Sequence, residues 1–187
     1  GRIALVVGPG QGEQIAADID LPHCEVFQAP EGTVDVAGEL GSKLRSGAYE
    51  AVAGIGGGKT IDVTKYAATM AGIPMVAVAT NLAHDGIASP VSSLEHEGGK
   101  PSIGVTMPIA LVIDLDYVRA APSHLVRSGV GDVVSNISAI EDWELAGRVA
   151  GEPVDGMAIT FARVAAEAVL HRPDSVESDA FLTVLAE

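Results

Sequence analysis

Short apolar runs alternate with amphipathic stretches along the first two thirds of the chain, and glycine-rich turns separate them. Ile3-Ala4-Leu5-Val6-Val7 is apolar at every position, as a strand buried on both faces would be, and it stops at Gly8-Pro9-Gly10. A short helix through Gln14 to Ala17 follows, then a strand at Cys24-Glu25-Val26-Phe27. Thr33 is placed to cap a helix reaching about Arg45. Ala51 to Ile55 predicts the next strand, with a helix after it from near Thr60 to Gly72. Met75 to Val78 and Leu111 to Ile113 complete the strands. Buried runs separated by helices are what a parallel sheet covered on both faces requires. Between the last two strands, Val91 to Val105 alternates weakly around Gly98-Gly99 and predicts a β-hairpin flap.

The pattern changes after Pro122. Val133, Ile137 and Ile140 fall at helical spacing, and Met157, Phe161, Val164, Ala165 and Ala168 repeat it, with no strand pattern among them. The chain therefore divides into an α/β, Rossmann-like parallel-sheet domain over residues 1–122 and the start of an α-helical domain over residues 123–187. Asn136 and Trp143 are expected to pack the junction between the two, with the active site in the cleft. Because the chain opens at Gly1 and stops at Glu187 inside a helical pattern, it is expected to be a piece of a longer protein.

Composition narrows the function classes. Of the 187 residues, 48% are apolar and 19% charged, which excludes a disordered chain. A formal charge of −14 argues against nucleic acid or an anionic membrane as partner. The single Cys24 can supply neither an internal disulfide nor a thiolate zinc cage, in keeping with a cytoplasmic setting. The longest charge-free stretch, Tyr66 to His84, is broken by Gly72-Ile73-Pro74 and predicts no membrane span.

The densest chemical signal is Gly54-Ile55-Gly56-Gly57-Gly58-Lys59-Thr60-Ile61-Asp62, between a predicted strand and a predicted helix. Glycines there let the backbone approach a ligand, and the helix start offers N–H donors and a positive dipole end to a phosphate. One alternative is a P-loop nucleotide hydrolase, because Gly58-Lys59-Thr60 resembles the end of a Walker A loop and Ala110 to Asp114 a Walker B strand. Against it, Ala53 stands where the loop's first glycine belongs, and Asp114 reads equally well as a helix cap.

Gly56-Gly57-Gly58-Lys59-Thr60-Ile61-Asp62 resembles the GGG-x-x-x-D signature of the glycerol dehydrogenase, dehydroquinate synthase and iron-containing alcohol dehydrogenase superfamily. Thr80-Asn81-Leu82-Ala83-His84-Asp85-Gly86-Ile87-Ala88-Ser89-Pro90 resembles the nicotinamide-side loop of sn-glycerol-1-phosphate dehydrogenases. Gly129 to Asn136 resembles the segment in which that family places its first metal-ligating aspartate. The resemblance implies a dehydroquinate synthase-like fold and a cytoplasmic oxidoreductase of phospholipid biosynthesis, using NAD or NADP and zinc. Its reaction would interconvert dihydroxyacetone phosphate and sn-glycerol 1-phosphate; a related polyol dehydrogenase, such as glycerol dehydrogenase, is the alternative. A small-molecule triose or glycerol phosphate is then the partner, and a homo-oligomer is compatible with it.

Residue by residue, the resemblance gives Gly56, Gly57, Gly58, Lys59, Thr60, Ile61, Asp62, Thr80, Asn81, Leu82, Ala83 and Ser89 as cofactor contacts. Asp62 lies on the first helical turn and reads equally as a cap. Asp85 would accept hydrogen bonds from substrate hydroxyls, with an ordinary turn before Gly86 as the other reading. Asp132 would be the catalytic zinc ligand and touch substrate, against its reading as the cap of the helix carrying Val133. A catalytic zinc takes three protein ligands and an open position. None of His23, His96, His124 or His171 matches the family's two histidine ligands, which are expected beyond Glu187, so this chain alone is expected to be inactive. A substrate phosphate would also need positive charge concentrated locally or supplied from beyond Glu187.

Overall fold

The structure, a computed structural model, describes residues 1–19, 22–176 and 178–187. The first of its two units comprises residues 1–81 and 86–121, and the second residues 82–85 and 122–187.

In the first unit, five parallel strands form one sheet: β1 (Ile3–Val7), β2 (Cys24–Gln28), β3 (Ala51–Gly56), β4 (Met75–Ala79) and β7 (Ala110–Ile113), in the order β2-β1-β3-β4-β7. The remaining strands, β5 (Val91–Ser93) and β6 (Ser102–Gly104), pair antiparallel as the expected hairpin flap, which turns at Gly98 with φ 79°. Helices α1 (Gln11–Asp18), α2 (Val34–Ser46), α3 (Gly58–Ala71) and α4 (Leu115–Ala120) complete the unit.

The two-residue period of the strands sorts their side chains onto two faces. Val7 pairs with Ile55 and Ile55 with Val78, so one face gathers Leu5, Val7 and Ile55 against Ile15 and Ala16 of α1, with Tyr117 of α4 beside them. The other face, with Val6 opposite Gly54 and Gly54 opposite Ala77, lies under α3. Gly54 is required there, because a Cβ would stand 2.8 Å from Thr64 Oγ1. Coverage on both faces holds for the three central strands, whereas the edges differ from expectation: Val26 of β2 and Leu111 and Val112 of β7 are exposed.

Helix ends follow local chemistry. Thr33 Oγ1 accepts from Val36 N at 3.2 Å and starts α2, a cap worth about 1 kcal/mol. Asp114 Oδ1 accepts from Asp116 N at 2.9 Å and starts α4. Gly72, left-handed at φ 71°, ends α3 by donating to the carbonyls of Ala68 and Thr69.

The second unit holds α5 (Ser123–Ala150), α6 (Gly156–Leu170) and α7 (Asp179–Ala186). Asp155 caps α6 through Met157 N and Ala158 N, and Ser178 caps α7 through Phe181 N. The Trp143 indole donates to Pro153 O at 3.1 Å, so it ties α5 to the connection before α6. The apolar stripe read for α6 is also corrected: Met157 and Phe161 are each 69% exposed, Val164 is exposed, and Ala166 and Val169 are the buried positions. Because α6 is apolar almost all round, its period does not single out the packed side. No helix among the described residues is long and apolar enough to cross a membrane.

Candidate functional site

Strand order β2-β1-β3-β4-β7 reverses between β1 and β3, and ligands of open α/β sheets gather at the carboxyl ends of strands flanking such a switch point. Both turns there are built from glycine. After β3, Gly57 alone separates the strand from α3, and no side chain caps the helix start. A Cβ on Gly57 would stand 2.7 Å from Asn81 Nδ2, and one on Gly56 the same distance from Thr60 Oγ1. The turn after β1 is equally tight. A Cβ on Gly8 would lie 2.2 Å from Thr60 Oγ1, and one on Gly12 would lie 2.5 Å from Ile55 O. Thr60 therefore fills the space that Gly8 and Gly56 leave open. This first turn was not singled out from the sequence, although its signal, Gly8-x-Gly10-x-Gly12, is plain once β1 and β3 are neighbours.

A strand joined to a helix through one residue cannot wrap a triphosphate, and Asp114 is occupied as a cap, so the P-loop alternative is removed. What the turn does offer is backbone within reach of an anion and the positive end of α3. Gly58 and Lys59 open the helix, with Lys59 exposed. Thr60 and Ile61 are buried, and Ile61 N donates to Gly57 O at 3.1 Å. Thr80 continues from β4, buried, with its N–H donating to Gly56 O at 3.1 Å, and Asn81 lies against Gly57.

Asp62 is not a cap. It sits in the second turn of α3, nearly buried, with Oδ1 2.9 Å from Lys65 Nζ and Oδ2 accepting from Ser93 N at 3.2 Å. Its carboxylate thus holds the flap strand β5. Ser89, half-buried, lies in the loop that Lys65 reaches, its hydroxyl 3.1 Å from Gly86 O and 3.2 Å from Val91 O.

In the second unit, Leu82 and Ala83 lead to the other chemical feature, a pair of carboxyl groups. Asp85 N donates to Asp132 Oδ2 at 2.8 Å, joining residues 47 apart in sequence. Partial desolvation of an otherwise exposed residue and the neighbouring Asp132, through its charge and a side-chain hydrogen bond, push the Asp85 carboxyl above its ordinary range; His84 and a backbone hydrogen bond oppose the shift. The sequence reading of Asp132 as the opening of a helix is overturned, because α5 begins at Ser123 and Asp132 lies well inside it. Its backbone carbonyl accepts from Ser135 Oγ at 2.7 Å, which leaves the carboxylate to Asp85 and its surroundings.

Two crowded carboxyl groups, one resisting ionisation, are a donor set that a divalent cation would relieve. No group of three or more His, Cys, Asp or Glu that could hold a metal occurs among the described residues. The pair fits part of a metal site and does not complete one.

Comparison with known proteins bears on both features. Residues 2–122 match the iron-containing alcohol dehydrogenase family. The glycerol-1-phosphate dehydrogenase [NAD(P)+] of Thermofilum pendens is 46% identical over 129 residues, which are 68% of this chain and 37% of the relative. The enzyme of the same name from Methanothermobacter thermautotrophicus is 34% identical over 182 residues, covering 95% of this chain and 52% of its own length. The chain thus spans about half or less of these curated relatives. A probable glycerol dehydrogenase from Sinorhizobium meliloti superposes with a TM-score of 0.85 at 20% identity, covering 99% of this chain and 56% of that structure.

Proposed function

The chain belongs to the iron-containing alcohol dehydrogenase family, and we propose that it is the cofactor-binding and first metal-binding portion of an NAD(P)-dependent glycerol-1-phosphate dehydrogenase. The reaction would be reversible hydride transfer between NAD(P)H and dihydroxyacetone phosphate, giving sn-glycerol 1-phosphate. The observation that carries the proposal is the 34% identity over 182 residues to a relative named for that activity, a reach that takes in the glycine turn and the carboxyl pair alike.

Each group then has a role set by its surroundings. Gly56 to Asp62 form the pyrophosphate turn: Gly57 admits the anion to the backbone, and the first N–H groups of α3 receive it. Thr80, Asn81, Leu82, Ala83 and Ser89 serve the nicotinamide side. Asp85, held by its own N–H on Asp132, accepts hydrogen bonds from substrate hydroxyls. Asp132 is the ligand this chain gives to zinc. A zinc held in part by Asp132 would supply Lewis-acid polarisation of the substrate oxygen, and a bound reduced nicotinamide would supply the hydride.

A second reading, oxidation of unphosphorylated glycerol, draws on the formal charge of −14, which does not favour a phosphate ester. The test is in two steps. NADH fluorescence titration of this chain is expected to show saturable binding, and a folded chain that binds no NADH would refute the proposal. Turnover measured with the complementing helical region present should prefer glycerol 1-phosphate to glycerol; the reverse preference supports the second reading. The chain alone is expected to bind cofactor without turnover, because it lacks a three-residue metal group among its described residues.

A further inference from the structure

We infer that Lys65 is a positioning residue that pins the nicotinamide-side loop, residues 86–91, to α3 and so fixes one end of the cofactor while leaving the other untouched. The inference rests on the cofactor reading above and extends it to a residue that reading does not use. The Lys65 side chain is 0% exposed. An ammonium group has three N–H donors, and three acceptors take them: Asp62 Oδ1 at 2.9 Å, Gly86 O at 2.7 Å and Val91 O. Ser89 O and Ser89 Oγ stand behind these at 3.4 and 3.5 Å. Both ends of the loop are thus fastened at a single nitrogen.

Neighbouring contacts continue the attachment along the same face of α3. Ser92 Oγ donates to Asp62 O at 3.0 Å, Ser93 N to Asp62 Oδ2 at 3.2 Å, and Thr106 N to Thr69 Oγ1 at 2.8 Å. Asp62, Lys65 and Thr69 follow the helical period, so one row of α3 holds the loop and both sides of the flap. An aliphatic residue at position 65 would take the ammonium from all three acceptors at once, leaving Gly86 O and Val91 O only the Ser89 hydroxyl and backbone donors and the Asp62 carboxylate only the Ser93 N–H. The glycines that open the pyrophosphate turn are set apart from this row. Gly56 and Gly57 are set by β3, Thr60 and Asn81.

Loss of Lys65 should therefore be felt at the nicotinamide and not at the pyrophosphate. ADP-ribose carries the adenosine and pyrophosphate of the cofactor but no nicotinamide, and it separates the two. Lys65→Met is expected to weaken NADH about tenfold, the scale of a lost hydrogen-bonded contact, while ADP-ribose affinity stays unchanged. Amide exchange should accelerate over residues 86–93 and remain slow in β1 and β3. Equal losses for both ligands mean a general structural role and overturn the inference, as does unchanged NADH affinity. Lys65→Gln, which restores two N–H donors, should give an intermediate loss for NADH alone, and it decides the question by the same comparison if the methionine variant does not fold. A wild-type chain that binds neither ligand refutes the cofactor reading and the inference together, whereas wild-type binding of both with equal losses in the variants overturns the inference alone.

Discussion

Gly129 and Gly131 lie two residues apart in α5, and the same substitution should act on them with opposite sign. A Cβ on Gly129 would stand 1.9 Å from Leu82 O and 3.1 Å from Leu82 C. An ordinary C···O approach is about 3.3 Å, so the Leu82 carbonyl would have to retreat by roughly 1.4 Å. Residues 82–85 would move with it, and the 2.8 Å bond from Asp85 N to Asp132 Oδ2 would stretch past hydrogen-bond range. Gly129→Ala gains about 1 kcal/mol of helix propensity. Against that stand about 1–3 kcal/mol of overpacking and roughly 0.5–1.5 kcal/mol for the broken bond. The expected net loss is about 0.5–3.5 kcal/mol. Gly131 has nothing within 4 Å of its Cβ position, so Gly131→Ala keeps only the propensity gain and should stabilise by about 0.5–1 kcal/mol. Urea unfolding followed by far-ultraviolet circular dichroism measures both, with amide exchange at Asp85 as the local readout. If both variants are stabilised and Asp85 stays protected, the close approach of α5 to Leu82 is not a feature of the protein.

Other substitutions address the chemistry directly. Gly57→Val should weaken NADH by well over tenfold while the fold survives, because its Cβ would displace Asn81 Nδ2 at 2.7 Å and its methyls would fill the pyrophosphate approach; unchanged NADH fluorescence titration in a folded variant would count against the turn. Asp132→Asn should lower the Asp85 pKa part of the way to its ordinary value, since the charge of Asp132 goes while the partial desolvation remains, and carbon NMR of the Asp85 carboxyl reads this. The linkage has a definite sign: a raised carboxyl means the native state holds a proton that the unfolded chain has released. Stability therefore falls as pH rises from about 3.8 through the folded-state pKa, and Asp132→Asn should flatten that fall in urea midpoints. The same variant should weaken the chain's binding of Zn²⁺ in calorimetric titration, and an unchanged isotherm would remove Asp132 from the metal site.

Legibility in the sequence followed range. Strands apolar at every position, the Thr33 and Asp114 caps, the Gly72 stop and the Gly98 hairpin turn are decided within a few residues, and each stands in the structure where the pattern put it. Asp132 at a helix start is the reading that local pattern favours, because glycines at 129 and 131 are poor helix formers. The structure keeps both glycines inside α5; nothing around Gly131 explains it, and Gly129 is explained by its approach to Leu82, a contact no local window contains. Lys65 was passed over for the same reason. Its partner Asp62 at i−3 is readable from spacing, but the acceptors that define its work lie 21 and 26 residues away. The glycines of the first turn acquire meaning only once β1 and β3 are paired.

The carboxyl pair has the feature least expected of a purely structural contact. Gly129, at the position where any side chain would collide with Leu82, lets α5 approach the segment that carries Asp85. What that approach brings together is two acids, one of them pushed toward its neutral form by partial desolvation and by the other. The return within the protein includes the backbone N–H bond from Asp85 to Asp132 Oδ2. A polar side chain at Asp132 without charge would keep that bond and avoid the repulsion, so stability alone does not select this pair. Like charges held close and partly desolvated are characteristic of sites whose energy is recovered on binding a cation or a donor-rich ligand. Under the proposed function, zinc at Asp132 and substrate hydroxyls at Asp85 would supply both, which is why the pair favours that proposal over a cofactor-binding module with no chemistry of its own.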